Sequence, residues 1–207
     1  MTKSYYHFDT LPSNLMDVIE SNLTKVYDPS LDSSLVSGNT LNEDKRRSRT
    51  SWVPTQHWVG GLMWDYCRRV NDEFFHYDLE HIDGESVQYT HYGINERYTW
   101  HQDESLAAIY KPVINLTEKK SSEHHQNYLN NKANIIRKLS ATLQLSHSDD
   151  YEGGATQIRD WDNKIYTIPR ERGSLVFFDS RLYHRACKVT SGLRKSLVIW
   201  AIGPRWK

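Results

Sequence analysis

Cysteine is nearly absent from this chain: Cys67 and Cys187 are the only two among 207 residues. Two thiols cannot staple a disulfide-dense scaffold, and they read as ordinary reduced side chains of a cytoplasmic protein. Net charge is missing as well, because 26 Lys plus Arg are matched by 26 Asp plus Glu. That balance removes the electrostatic reason to expect nucleic acid or an anionic membrane as the main partner. The one basic run, Lys45-Arg46-Arg47-Ser48-Arg49, is expected to be a solvated loop. No apolar run approaches the ~20 residues of a membrane helix. The opening residues, Met1 to Asp9, lack the apolar core of a signal peptide, so the expectation is a soluble, cytoplasmic protein.

Aromatic residues are plentiful, at 12% with 7 Trp and 13 Tyr. They suit a folded β-rich domain and exclude a disordered one. The length fits a single domain over residues 1–207, with helical support over about 1–80 and a β core over about 84–207. Pro12-Ser13-Asn14 followed by Leu15, Met16, Val18, Ile19 and Leu23 predicts a capped amphipathic helix. A second helix is predicted from Val59 to about Phe75, with Leu62, Met63, Tyr66 and Val70 at helical spacing. Beyond residue 84, short Val-, Ile-, Thr-, Tyr- and Trp-rich segments alternate with turn residues. Strands are predicted over 86–92, 98–102, 135–146, 155–158, 164–169, 174–178, 183–188 and 194–202. Eight short strands behind helices point to an α+β, mainly β architecture: a jelly-roll double sheet with helices on one face. The polar stretch 111–134 is too long for an ordinary connection and reads as a lid or a surface excursion.

Tyr98-Thr99-Trp100-His101-Gln102-Asp103 carries His-x-Asp on a predicted strand. Period-2 alternation sends His101 and Asp103 to one face, where both can bind one ion. His184 stands far downstream, after Phe177-Phe178-Asp179-Ser180. Two imidazoles and one carboxylate leave three octahedral positions open, the ligand set of non-heme Fe(II) oxygenases. Zinc hydrolases use a related set but keep one position for water. Alone, His-x-Asp is weak; Arg194, ten residues after His184, adds weight. With Thr190-Ser191-Gly192 as a hairpin turn, 184 would face 198 and 186 would face 196. Arg194 would then share the inward face with His184, about 13 Å away along the strand. A five-carbon diacid chelating the metal spans such a gap, and a guanidinium fork matches its distal carboxylate. Ser196 shares that face.

Other residues carry blander readings. Asp179 and Arg181 read as turn polarity, His124-His125 as a solvated pair and His91 as structural on the opposite face. Trp200 shares the inward parity of Ser196, as pocket floor or core. Gly153-Gly154 reads as a strand-entry turn, since no helix or phosphate-binding Lys follows.

Taken together, these segments resemble the prolyl 4-hydroxylase-like branch of the 2-oxoglutarate/Fe(II)-dependent dioxygenases. They resemble most the stand-alone PKHD-type hydroxylases of bacteria and phages. The resemblance runs from about residue 45 to the end, through Gln88 to Gly93, Tyr98 to Asp103, Leu139 to Ser146, Asp150 to Ala155 and Gly173 to Ser196. Arg47-Ser48 before Trp52 also resembles a recurring segment of the branch. The resemblance implies a double-stranded β-helix and a requirement for Fe(II), 2-oxoglutarate and O2, with ascorbate as an accessory reductant. It implies hydroxylation of a protein or peptide side chain, with peptidyl proline first, and release of succinate and CO2. It also implies that Tyr92 lies in the co-substrate pocket and that Gln144 stands where relatives place a 2-oxoglutarate hydrogen-bonding group. Two other readings stay open: the same chemistry on a free amino acid, other small metabolite or nucleobase, and a non-catalytic cupin-like metal-binding module. A pure binding module has no need of Arg194.

Overall fold

The computed structural model describes residues 5–29, 44–104 and 135–206; the segment 111–134, read above as a lid or an excursion, lies outside them. The first elements are β1 (Tyr5–Thr10), α1 (Ser13–Val26), β2 (Arg46–Arg47), β3 (Arg49–Pro54), α2 (Trp58–Val70) and β4 (His81–Ile82). They are followed by β5 (Ser86–Tyr92), β6 (Arg97–His101), β7 (Ile135–Gln144), β8 (Tyr151–Gly153) and β9 (Thr156–Arg159). The chain closes with β10 (Ile165–Thr167), β11 (Ser174–Asp179), β12 (Tyr183–Ala186), β13 (Val189–Gly192) and β14 (Arg194–Pro204). The eight strands predicted from the sequence are all present, with ends shifted by at most two residues.

A major sheet runs β1-β11-β7-β14-β5-β3, with β4 also on β14, and a minor sheet runs β10-β9-β12-β6-β2. Every pairing among the described residues is antiparallel. The two sheets form a double-stranded β-helix, the jelly roll that strand spacing predicted.

Alternation along the long strands of the major sheet builds two different interiors. Leu139, Ala141 and Leu143 of β7, Leu197, Ile199 and Ala201 of β14, and Val87 and Tyr89 of β5 face one way. They are buried against Met16, Ile19 and Leu23 of α1 and Val59, Met63, Cys67 and Val70 of α2. Each fully buried aliphatic side chain there contributes roughly 1.5–3 kcal/mol by leaving water. The intervening residues are Ser140, Thr142 and Gln144 of β7, Arg194, Ser196, Val198 and Trp200 of β14, and Gln88 and Tyr92 of β5. They turn toward the minor sheet and, Val198 apart, are buried. A sandwich interior this polar is a binding site rather than a core, since buried polar groups need partners.

The helices depart from expectation in detail. Ser13 lies inside α1, whose first turn has no side-chain cap; its hydroxyl accepts from Arg172 Nη1 at 3.0 Å. The predicted second helix is α-helical to Val70 and π-helical over Asn71–Phe75. A larger correction concerns the basic run. Residues 46–47 pair with Tyr98 and Arg97 of β6, and residues 49–54 pair with β5. Arg46 and Ser48 are buried rather than solvated. Strand pairing, which a charge run conceals, overrides the local polarity here.

Candidate metal centre and co-substrate pocket

His101 and His184 are direct register partners across β6 and β12, which brings their ring centroids to 4.1 Å. Asp103 stands just past the end of β6. Its N–H donates to Ser180 O at 3.0 Å, and the next amide, Glu104, donates to the same carbonyl at 2.8 Å. The carboxylate is thereby carried back between the rings: Asp103 Oδ1 lies 3.6 Å from His101 Nε2, and Oδ2 lies 3.2 Å from His184 Nε2. One ligand atom from each of the three falls within 4.8 Å of the others.

The donor chemistry of this cluster can be read from its hydrogen bonds. His101 Nδ1 meets Thr99 O at 2.7 Å and His184 Nδ1 meets Leu182 O at 3.0 Å. A carbonyl only accepts, so each Nδ1 carries the hydrogen and each neutral ring turns a bare Nε2 toward Asp103. Two lone pairs and a carboxylate converging in a buried space demand a cation between them. An Fe(II) ion fits that donor set, and backbone carbonyls orient both rings as they do in metal sites. Without an ion, protons partly meet the demand. Burial works against an ionised Asp103, yet the imidazoles hold its carboxyl well below the ordinary range. Burial lowers His184 but the Asp103 carboxylate overrides it and raises its pKa. His101 is lowered, by burial first and then by His184.

One hydroxyl, Ser140, to which the sequence assigned no role, holds the carboxylate, and a second, Ser180, backs it. Ser140 Oγ donates to Asp103 Oδ2 at 2.8 Å and lies 2.9 Å from Ser180 Oγ. Inward parity on β7 was the available signal for Ser140. Tyr98, also unremarked, stacks on His101 with centroids 3.5 Å apart and planes 14° apart.

A cavity of about 60 Å³ opens on the cluster and is lined further by Tyr92, Thr142, Phe178, Arg194, Ser196 and Trp200. Arg194 therefore shares one space with His101, Asp103 and His184, but not through the predicted hairpin. Residues 190–192 belong to β13, which pairs with β8. β12 and β14 lie in different sheets, and Arg194 pairs with Tyr92 of β5. Arg194 and His184 face each other across the sandwich. Arg194 is buried; its Nε donates to Gln144 Oε1 at 3.2 Å and its Nη2 to Thr156 Oγ1 at 2.8 Å. Gln144 Nε2 donates in turn to Tyr151 Oη at 3.2 Å. Ser196 is register partner to Gln144. No carboxylate among the described residues pairs with Arg194. This is a buried cation with no counter-ion among the described residues, the kind of group that a bound carboxylate would satisfy.

Asp179 and Arg181 form a bidentate pair at 3.0 and 2.6 Å, with Tyr77 Oη donating to Asp179 at 2.6 Å. They brace a turn, as expected. His91 faces the helical side and packs edge-on against Tyr89. Gly153 and Gly154 both adopt positive φ. Both cysteines are free thiols. No helix among the described residues is long and apolar enough to cross a membrane.

Comparison with known proteins agrees with this geometry. Residues 87–202 match the family described as the 2OG-Fe(II) oxygenase superfamily. A PKHD-type hydroxylase of Synechococcus is 40% identical over 62 residues, 30% of this chain and 28% of that one. Its counterpart in Shewanella oneidensis is 44% identical over 62 residues, 30% and 27% of the two chains. The matched stretch thus spans less than a third of these relatives. Among solved structures, a Pseudomonas putida prolyl-4-hydroxylase superposes with a TM-score of 0.63 at 16% identity, covering 100% of this chain and 95% of that one. A prolyl hydroxylase from Trichoplax adhaerens, in complex with a hypoxia inducible factor peptide fragment, gives 0.65 at 14% identity, covering 97% and 84%. A viral collagen prolyl hydroxylase from Paramecium bursaria Chlorella virus-1, complexed with 2OG, gives 0.61 at 18%, covering 97% of each. With its fold, its open-faced donor cluster and more than half its length matched, the chain belongs to the 2OG-Fe(II) oxygenase superfamily.

Proposed function

We infer that this protein is an Fe(II)- and 2-oxoglutarate-dependent dioxygenase that hydroxylates a protein or peptide side chain, with peptidyl proline as the first candidate. The observation that carries the reading is the shared cavity. Three converging metal-ligand atoms stand at one side, and a buried guanidinium with no carboxylate partner among the described residues stands at the other.

In this reading His101, Asp103 and His184 hold the iron, and Arg194 receives the distal carboxylate of 2-oxoglutarate. Bound iron supplies activation of O2 coupled to oxidative decarboxylation of the keto acid, releasing succinate and CO2. The protein's part is placement and protection. Ser140 fixes which Asp103 oxygen faces the metal. Thr99 O and Leu182 O fix the tautomers of the two rings. Gln144 and Thr156 aim the Arg194 fork, while Tyr92, whose ring centroid lies 5.6 Å from the Arg194 guanidinium carbon, forms the wall beside it. Ser196 offers a hydroxyl on the same face. Phe178, 4.7 Å from His184 between centroids, keeps bulk water from that side.

The peptide substrate is favoured by the names of the relatives and by the bound peptide of the Trichoplax neighbour. Hydroxylation of a small amino acid is the second reading, favoured by the modest size of the cavity. The test is succinate release from 2-oxoglutarate with Fe(II) and ascorbate, measured over proline-containing peptides and free amino acids. A substrate that raises succinate release and gains one oxygen by mass establishes the reading; no 2-oxoglutarate turnover under any condition refutes it.

A further inference from the structure

Arg194 is not the only buried cation in the cavity. Arg46, from the segment that reads as a solvated basic run, also lines it and is only 6% exposed. Its guanidinium carbon lies 4.9 Å from the centroid of Tyr98, the ring that stacks on His101. The cation thus stands one ring removed from the proposed ligand His101. Its Nε donates to Ser48 Oγ at 2.8 Å. Neither terminal nitrogen donates to any described side chain, and no described carboxylate pairs with it.

The charges around the cavity sharpen the point. The charged lining residues are Arg46, Arg185, Arg194 and Asp103. Arg185 is spent on Gln157 Oε1, at 2.9 and 2.7 Å, and lies over Trp100. Asp103 is spent on the imidazoles and Ser140. A bound divalent ion, its carboxylate ligand and a dianionic 2-oxoglutarate on Arg194 balance one another and leave Arg46 and Arg185 without a counter-charge; of these two, only Arg46 keeps both terminal nitrogens unused by described side chains. A buried guanidinium keeps its charge at any accessible pH and presents a planar fork suited to a carboxylate. Val198, Phe178, Ala186 and Trp200 supply apolar walls of the same cavity. Arg137, paired with Asp83 at 2.6 Å, lies over the Trp200 ring at 4.1 Å and braces that wall.

We propose that Arg46 recognises a carboxylate on the substrate to be hydroxylated, so that this enzyme takes an anionic substrate with an aliphatic body. The inference rests on the oxygenase reading above. Two sources supply that chemistry: the α-carboxylate of a free amino acid, or an acidic side chain beside the target residue of a peptide.

The test uses the whole protein loaded with Mn(II) and N-oxalylglycine, an unreactive 2-oxoglutarate mimic, and follows binding by calorimetry. Free L-proline is compared with L-prolinamide, and a Pro-Glu hexapeptide with its Pro-Gln counterpart. At least one carboxylate probe is expected to bind ten-fold or more tightly than its amide. That preference should collapse to under three-fold in Arg46→Gln and be partly kept in Arg46→Lys. Preference within the first pair identifies a small acid, and within the second an acidic peptide. Equal binding of acid and amide, or no binding of either acid by protein that does bind N-oxalylglycine, overturns the proposal. So does an Arg46→Gln variant that loses N-oxalylglycine while its acid preference persists. Failure of the parent to bind N-oxalylglycine at all strikes the oxygenase reading instead. The parent comparison requires no variant to fold.

Discussion

At the residue scale, few protein contacts determine the geometry of Asp103. Its carboxylate is held by Ser140 Oγ and its backbone by Ser180 O. Hydroxyls of this kind orient metal ligands, and their loss typically weakens metal affinity about 10- to 100-fold. Ser140→Ala is therefore expected to weaken Mn(II) affinity at least ~10-fold by calorimetry, with the fold intact by circular dichroism. Arg194→Ala leaves Gln144 and Thr156 without their donor and a carboxylate without its fork. It should cost on the order of 2–5 kcal/mol in 2-oxoglutarate affinity, with metal affinity changed far less. The sequence carried much of this, since His101, Asp103, His184 and Arg194 were each visible as residue types at telling spacings. The route to Arg194 was not legible. Parity along β14 placed it inward, but the partner strand had to be guessed, and residues 190–192 pair with β8 instead of turning. Arg46 was hidden for the opposite reason: five polar residues in a row look like a solvent-facing loop until β6 is laid beside them.

At the level of elements, β7 and β14 do two tasks at once. Their odd-numbered residues bind the sheet to α1 and α2, and their even-numbered residues make the pocket. Leu143 is fully buried in the helical layer, so Leu143→Ala should destabilise the protein by about 2–5 kcal/mol in denaturant unfolding. The long strands were legible because alternation over seven or more residues is hard to mistake. β2, β4, β8 and β13 were not, since two to four residues carry little pattern, and short β9, β10 and β12 were found only because turn residues flank β-rich segments there; β1 and β3, six residues each, were missed as well. β13 ends at Gly192, with φ of 76°, where a Cβ would overlap Asp150 O. Left-handed backbone disfavours any other residue by roughly 1–3 kcal/mol before that overlap is counted. Gly192→Ala is expected to lower stability by more than about 2 kcal/mol and to weaken 2-oxoglutarate binding as well, because Arg194 starts two residues later. Unchanged 2-oxoglutarate affinity in a folded variant would separate the turn from the pocket.

For the whole molecule, pH ties stability to the site. Burial, with Lys195 and Arg49 nearby, pushes His91 down to about 4. The folded state therefore resists a proton that the unfolded chain accepts below about pH 6.5, so this group lowers stability as pH falls from there toward 4. Replacing His91 with Gln should flatten that part of the stability curve. His184 has the opposite sign: Asp103 raises it above the ordinary value, so in metal-free protein its contribution is present at low pH and lost as pH rises through the raised value. A metal ion replaces that proton. The thermal stabilisation given by Mn(II) is therefore expected to grow between about pH 6 and about pH 8.

The most direct measurement of the central claim is an anaerobic calorimetric titration of Fe(II) and then 2-oxoglutarate into the parent, Asp103→Ala and Arg194→Ala proteins. The parent should bind one Fe(II) per chain and then one 2-oxoglutarate. Asp103→Ala should lose both, and Arg194→Ala should keep the metal while losing most of its 2-oxoglutarate affinity. Undiminished Fe(II) binding by Asp103→Ala, or unaltered 2-oxoglutarate affinity in Arg194→Ala, would contradict it.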